Sequence, residues 1–582
     1  MINHLGQAEL LTTDLSAAEI VQAEYEENQT ELEVVVDEIA QTTKENDLNL
    51  PTKPWLPDLL PQIVAPEVAW ENEWQKPRRM VVPFGMLDIP EKQAQKELLF
   101  DLEKFTPAVL LGSSGYGKST ALQTLVLNLA RYNSPTQVQF NLLDFGNNGL
   151  LPLRKLPHVA DHVRLDEREK FFKMLQRILE TLEKRKALFQ EHGVVNLEQY
   201  EAMTKQTLAV IVNVIDAYDT IIEDERETVD STINRILREG AALGVLLVMS
   251  SNQISAYRLG MRSNIAKTLL LYLVNNDDLI EVLGRKRLQI PPLPGRGQLE
   301  IDDTVDAFQT YQPISGDDSL SIVKNIVLLT EKMDAAWTGE RPAPIPMLPL
   351  QFATDYLESC FEVSELLEQD ELPLAFDIQT TALKGFVPSK HHFFTMIYGT
   401  EEQRQMLDDN LMFSLRKTKA KTILVDFEEQ VYADSYAFFD EVYTAERTDT
   451  ERLKLLLADY VKLAGSRKSG AHVFMYIPNL RLFFEKSGLT SDNFILTLKQ
   501  AWRAGLYIII SDSINYLEKG FDLNVQEFRK NITAGVVTAR VTDTDTLKAM
   551  GSSLEKNLPA NEAYFFEAQG TKHTKIRLAG EA

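Results

Sequence analysis

The chain has 582 residues, too many for one hydrophobic core, and its 44% hydrophobic and 25% charged composition is that of a folded globular protein, so two large units plus a tail are expected and disorder only in segments. Its 60 Lys and Arg against 85 Asp and Glu leave a net charge of −25, which argues against a protein built to neutralise a nucleic-acid backbone; no nucleic acid is expected as a partner. The lone Cys360 excludes an intrachain disulfide and fits a reducing compartment, with the cytoplasm as default, and no apolar run approaches the ~20 residues of a membrane span.

Residues 1–75 are acidic and then proline-rich: Leu32–Ile39 starts a helix and Leu50–Pro57 breaks it, giving an N-terminal helix and an extended linker. Over 76–315, strand-like runs (Ala108–Leu111, Gln139–Leu143, Ala209–Ile215, Val245–Met249) alternate with helical ones (Phe171–Gln190, Asp230–Leu243). This alternation predicts an α/β module with a mostly parallel sheet covered by helices on both faces.

Between the first of these strands and a helix-like run opened by Thr120 stands Gly112-Ser113-Ser114-Gly115-Tyr116-Gly117-Lys118-Ser119, a complete G-x-x-x-x-G-K-S phosphate loop. Its glycines let backbone N–H groups approach a triphosphate, Lys118 serves the outer phosphates, and the Ser119 hydroxyl serves Mg2+, so ATP and magnesium are the expected cofactors. The magnesium-binding acid should end a neighbouring strand, and Asp216 closes Leu208–Asp216. Ala217 follows where many ATPases place Glu or Asn to align water; turnover is therefore expected to be slow, with Asp219 the nearest substitute. Asn252 and Gln253 end the next strand, where a polar side chain can sense the γ-phosphate.

A proline-rich linker over 316–350 leads to a second copy over 351–582. Arg262-Ser-Asn-Ile265 with Gly284 recurs as Arg529-Lys-Asn-Ile532 with Gly551, each 267 residues on. A fainter echo pairs Glu31–Val36 with Leu320–Val327, as if residues 1–40 ended a preceding module. In the second copy Gly399-Thr400-Glu401-Glu402-Gln403 replaces the phosphate loop, its Lys and Ser are gone, and two carboxylates oppose a polyanion. Pro478 stands where the magnesium acid belongs, so this module is expected to be inactive. The eight histidines show no metal-ligand spacing, and no structural zinc is expected.

Gly112–Ser119, Leu143–Gly146 through Leu156–Val159, Glu183-Lys184-Arg185, and Gly295–Gln298 before Ala307-Phe308-Gln309 together resemble the FtsK/SpoIIIE-like P-loop ATPases. The tandem arrangement with a degenerate last copy is most similar to the type VII secretion ATPases of the EssC/EccC kind, of which the chain resembles a C-terminal fragment. The resemblance implies two tandem RecA-like P-loop domains in a motor, hexameric when full length, at the inner face of the cell membrane. It further implies small helical WXG100-type substrates, other secretion-machine subunits as partners, and an apolar pocket for an export signal in the last module. An arginine from a neighbouring subunit can complete an ATP site in such ATPases, and Arg164 and Arg262 are the candidates. Two rival readings stay open: a DNA translocase of the same superfamily, and a non-hydrolysing scaffold locked by nucleotide.

Overall fold

The computed structural model describes residue 6 and residues 30–46, 56–221, 223–428, 431–465, 472–548 and 557–580. Gly551 of the repeat and Leu50–Trp55 of the connector lie outside the described residues.

The first module is one sheet of ten strands: β1 (Val81–Ile89), β2 (Ala94–Asp101), β3 (Ala108–Leu111), β4 (Val138–Asp144), β5 (Val159–Arg164), β6 (Val210–Asp216), β7 (Val245–Ser251), β8 (Lys267–Leu271), β9 (Arg296–Ile301) and β10 (Thr304–Thr310). Their order is β2-β1-β10-β9-β8-β3-β7-β6-β4-β5. From β8 to β5 neighbouring strands run parallel, and β9, β10, β1 and β2 extend the sheet antiparallel. Every residue of β3 and β7 is buried, as expected of central strands covered on both faces.

The second module repeats this plan in β11 (Leu372–Asp377), β12 (Leu383–Phe386), β13 (Phe393–Tyr398), β14 (Lys421–Asp426), β15 (Glu441–Thr444), β16 (Val473–Ile477), β17 (Leu506–Ser513), β18 (Gly535–Val537), β19 (Glu562–Glu567) and β20 (Lys572–Arg577). The order, β12-β11-β20-β19-β18-β13-β17-β16-β14-β15, matches the first strand for strand. The expected α/β class with tandem, mostly parallel sheets is therefore what the chain adopts.

Part of the segment before residue 76 packs with the first module: Val64 bridges to Gln312, Trp70 and Trp74 are buried, and the Trp74 Nε1–H donates to Ala130 O at 2.8 Å. The helix Glu31–Glu45, capped by Thr30, buries none of its residues. Within 316–350 the structure shows a helix, Ser319–Ala336, where only a linker was expected. Asp318 caps it, and Ile326 and Met333 join the first module's core. Ile322, Ile326, Leu329 and Met333 carry the helical spacing that the flanking prolines obscured. The arm that follows lies on the helix Arg168–Glu191: Lys173 Nζ donates to Pro346 O at 2.7 Å, Arg177 Nη2 to Pro344 O at 2.6 Å, and Ile345 N–H to the Asp161 carboxylate at 2.9 Å. Just beyond the arm, Arg577 of the second module reaches Glu169 of the first at 3.0 Å.

Candidate nucleotide site

Strand β3 delivers the phosphate loop to the carboxyl end of the parallel strands, between β7 and β8. Gly115 and Gly117 hold φ of +86° and +92°, and a Cβ on Gly117 would lie 2.9 Å from Gly295 N, so glycine is required there by both backbone conformation and space. The helix Lys118–Tyr132 starts at Gly117 with no side chain capping it, so its first N–H groups point into the loop with the positive end of the helix dipole behind them.

Lys118 curls back over this cradle, its Nζ donating to Gly112 O at 2.6 Å, to Ser113 O at 3.2 Å and to Asn252 Oδ1 at 2.8 Å. Burial lowers its pKa, and Asp216 and Asp219 oppose that shift. Ser119 Oγ donates to Asp216 at 2.6 Å, and Ser250 Oγ donates to the other carboxylate oxygen. Burial raises the Asp216 pKa, against those two hydroxyl donors. A pair of hard oxygen donors, Ser119 and Asp216, beside a phosphate cradle is the donor set that magnesium takes.

Behind this pair the sheet adds groups that the motif does not announce. Asp144 is the register partner of Asp216 across β4 and β6; it accepts the Leu150 N–H at 2.7 Å, and His162 Nε2 lies 3.3 Å away. In the flap Asn148-Gly149, the glycine lies against Ser119 and Asp216. A Cβ on Gly149 would meet Ser119 Cβ at 2.7 Å, and Gln123 holds the flap by donating to Gly149 O at 2.5 Å.

On the far side of Lys118, Asn252 Nδ2 donates to Asp219 at 2.6 Å while its Oδ1 accepts from Lys118, so Asp219, Asn252 and Lys118 form one chain. Ala217 sits at φ +58° and donates its N–H to Ser250 Oγ at 2.9 Å, presenting only a methyl group to the site. The structure thus brings together Lys118, Ser119, Asp216, Asn252 and Asp219. Ser113 Oγ accepts the Val274 N–H at 2.9 Å, Tyr116 packs on Tyr272 with ring centroids 4.7 Å apart, Ser114 and Gly115 are exposed on the loop, and Thr120 is half-buried at the helix start. Three expected residues stay outside this cluster. Gln253 is exposed, with no side-chain partner among the described residues. Arg262 is tied to Tyr257 O at 2.7 Å and to Glu281. Arg164 lies two strands from Asp216, paired with Asp166 at 3.2 Å.

The second cradle has the same frame. Asn128 and Ser414 each donate to the carbonyl of the proline in the first strand of their module, Pro83 of β1 and Pro373 of β11, and Thr124 and Asn410 each donate to a backbone carbonyl after the last strand. Both pairs, like Leu110 and Met396 in the sheet register, are 286 residues apart. At that spacing Lys118 corresponds to Arg404, Gly117 to Gln403 and Ser119 to Gln405. An arginine stands where the first module has its lysine. It is buried and committed to its own carboxylates, meeting Glu428 at 3.2 Å through Nη1 and Asp408 at 3.7 Å. The helix Glu401–Lys417 begins three residues earlier than its counterpart, capped by Thr400. Gln403 Oε1 accepts from Gly399 N–H at 3.2 Å, Thr400 N–H at 3.1 Å and Thr538 Oγ at 3.0 Å, where a phosphate oxygen would otherwise be received. β16 ends at Ile477, opposite Ile510 as Ile215 is opposite Met249, so the next residue, Pro478, follows it as Asp216 follows Ile215, and the buried Ser511 hydroxyl has no partner among the described residues.

Residues 67–289 match the FtsK/SpoIIIE family, so the first module is an FtsK/SpoIIIE domain. The type VII secretion system protein EssC of Staphylococcus aureus (strain MRSA252) is 28% identical over 592 aligned residues, which take in 99% of this chain and 39% of that protein. The chain therefore spans about two fifths of the length of this relative and is homologous to the EssC/EccC ATPases over almost its whole length. Among solved structures, EssC ATPases 2 and 3 of Geobacillus thermodenitrificans superpose with a TM-score of 0.75 at 23% identity, covering 90% of this chain and 99% of that one. EccC ATPases 2 and 3 of Thermomonospora curvata, solved in complex with a signal sequence peptide, superpose at 0.60 with 22% identity over 90% and 97%. These two likenesses concern the fold.

Proposed function

We propose that the chain is the tandem ATPase portion of a type VII protein secretion machine, working on the cytoplasmic side of the membrane, in which the first module binds Mg-ATP and turns it over slowly. The observation that carries this reading is the chain Ser119–Asp216 and Lys118–Asn252–Asp219 around an uncapped helix N-terminus. The loop N–H groups and Lys118 bind the triphosphate, and Ser119 and Asp216 hold magnesium, which when bound neutralises phosphate charge. Ala217 has no group to orient water, and Asp219, fixed by Asn252 next to Lys118, takes that role from a less direct position, which makes hydrolysis slow. The acidic total of −25 favours this over a DNA translocase.

The second module, closed to nucleotide by Gln403 together with the carboxylates of Glu401 and Glu402, serves recognition. Buried Phe171, Leu175 and Leu182 of the first module and Leu453, Leu457 and Ala464 of the second are each 282 residues apart, as are Asp144 and Asp426. By that spacing Lys173, which holds the proline arm, corresponds to Leu455, which is 65% exposed. An apolar residue thus faces outward where the first module receives extended chain, which supports an export signal of a small helical secreted protein as the second module's ligand. Calorimetric titration with Mg-ATP tests the first half of the proposal: one site per chain is expected, lost in Lys118→Ala, and two equivalent sites or none would overturn it. Phosphate release, measured with and without a secreted substrate, separates a slow motor from a nucleotide-locked scaffold.

A further inference from the structure

Beyond the nucleotide site, the first module carries a cationic trough of about 580 Å³ at the same end of the sheet. Arg154, Lys155, Arg164 and Lys170 line it, against the carboxylates of Asp161 and Glu167. In a chain with an excess of 25 negative charges, four cations gathered on one cavity wall stand out, and with Asp166 and Glu331 beside the wall their charge is balanced by four carboxylates. Three of the cations are engaged in part: Lys155 with Glu331 at 2.7 Å, Arg164 with Asp166 at 3.2 Å and Glu167 at 3.5 Å, and Lys170 with Asp161 at 2.5 Å. The Arg154 guanidinium makes no ion pair or hydrogen bond with any described residue.

The position of the trough gives its charge a use. Asn148, in the left-handed region at φ +58°, is part of its wall, and the next residue, Gly149, is the one whose missing Cβ leaves room for Ser119 and sits beside Asp216. Of the two flap residues, Gly149 therefore borders the magnesium corner and Asn148 borders the trough. Arg164 ends β5, Asp144 ends β4 and Asp216 ends β6, so in register the trough lies two strands, roughly 10 Å, from the magnesium acid. His162, on the trough wall, reaches through to Asp144 at 3.3 Å.

We infer that this trough is a binding site for inorganic phosphate, taking the anion that hydrolysis liberates on the other side of the flap. Its source rests on the reading of the first module as an ATPase; its existence as an anion site does not. Guanidinium and ammonium groups converging on a tetrahedral oxyanion give charge-assisted hydrogen bonds, and an unpaired guanidinium facing a cavity is ready to make them.

Isothermal titration of the full chain with sodium phosphate, against sodium chloride at equal ionic strength, tests the assignment. Saturable phosphate binding is expected, unchanged in Lys118→Ala. It should be weakened at least about tenfold in Arg154→Ala/Lys155→Ala, a loss of the size expected for hydrogen bonds to charged groups, while that double variant keeps the ATP affinity of the unaltered chain. Loss of the phosphate isotherm in Lys118→Ala would put the anion in the phosphate loop and overturn the proposal, as would equal affinity in the double variant or no saturation. A turnover defect in the double variant that is rescued by mixing in Lys118→Ala chains would assign the trough to a nucleotide held by a second copy, and would equally overturn it. The isotherm decides the trough whether or not the first cradle binds ATP.

Discussion

The two phosphate-loop positions share a strand, a helix and one spacing, yet they meet the demand of the same helix N-terminus in opposite ways. In the first module the donors are left without side-chain acceptors, because Gly117 has no side chain to offer and Lys118 bonds loop carbonyls. In the second, Gln403 supplies its own carbonyl oxygen, Thr400 caps the helix, and Arg404 is paired with Glu428 inside the module. An open N-terminus costs stability until an anion arrives, whereas a closed one is stable alone and indifferent to anions. The difference teaches that a degenerate copy is not merely a site with pieces missing: its donors have been given internal partners, and only the serine left behind at Ser511 shows what was removed.

The contrast is sharpest under loss of the first cradle's charges. Asp216→Ala is expected to lower turnover by at least about a hundredfold, the scale of a lost preorganised electrostatic group, with ATP binding becoming insensitive to magnesium; steady-state phosphate release with and without magnesium checks both. Asp219→Asn should reduce turnover about tenfold or more with ATP affinity almost unchanged, since general-base groups act on the chemical step; equal rates would reject Asp219 as the substitute for the missing acid at 217.

In the second cradle the expected changes are in stability. Gln403→Gly removes the acceptor for two backbone N–H groups and the Thr538 hydroxyl, and should destabilise the second module by about 1–3 kcal/mol in urea unfolding without creating ATP binding, because Glu401 and Glu402 remain. A gain of nucleotide binding in this variant would mean that Gln403 alone keeps the cradle shut. A stability effect of similar size concerns Asp408, whose carboxyl is pushed up to about 6 by burial, against hydrogen bonds from Tyr432 and Tyr476 and the charge of Arg404. A carboxyl with a raised folded-state pKa contributes stability that is present below its unfolded value, ~4, and is lost as pH rises through about 6. Relative to Asp408→Asn, the unaltered chain should therefore lose stability on the order of 2 kcal/mol between those pH values, read from thermal unfolding at a series of pH values.

Much of this was legible in the residues. The phosphate loop is contiguous, and Gly115 and Gly117 answer a local demand for positive φ, so Gly112–Ser119 marks the first cradle directly; Asp216 follows because it ends an apolar strand. The second cradle is legible as degenerate from Glu401, Glu402 and Pro478. Arg404 is not legible as the counterpart of Lys118, because Gly399 resembles the start of a loop three residues out of step; the shared helix contacts set the register. Asp144, Gly149 and His162 gave no local signal, since their roles depend on neighbours brought in by other strands. The helix Ser319–Ala336 was hidden by the prolines after it, although its apolar spacing was present.

What the sequence by itself determined is whatever a short stretch of chain decides from its own bonds: which strands are buried on both faces, where a loop needs glycine, and where a polyanion has a lysine and a serine waiting for it. Only the tertiary structure decided which groups meet. Ser119 reaches Asp216 across 97 residues and Lys118 reaches Asn252 across 134, and no local propensity encodes those distances. The order of strands in the sheet sets them, because parallel strands joined by helices collect the ends of remote segments at one edge.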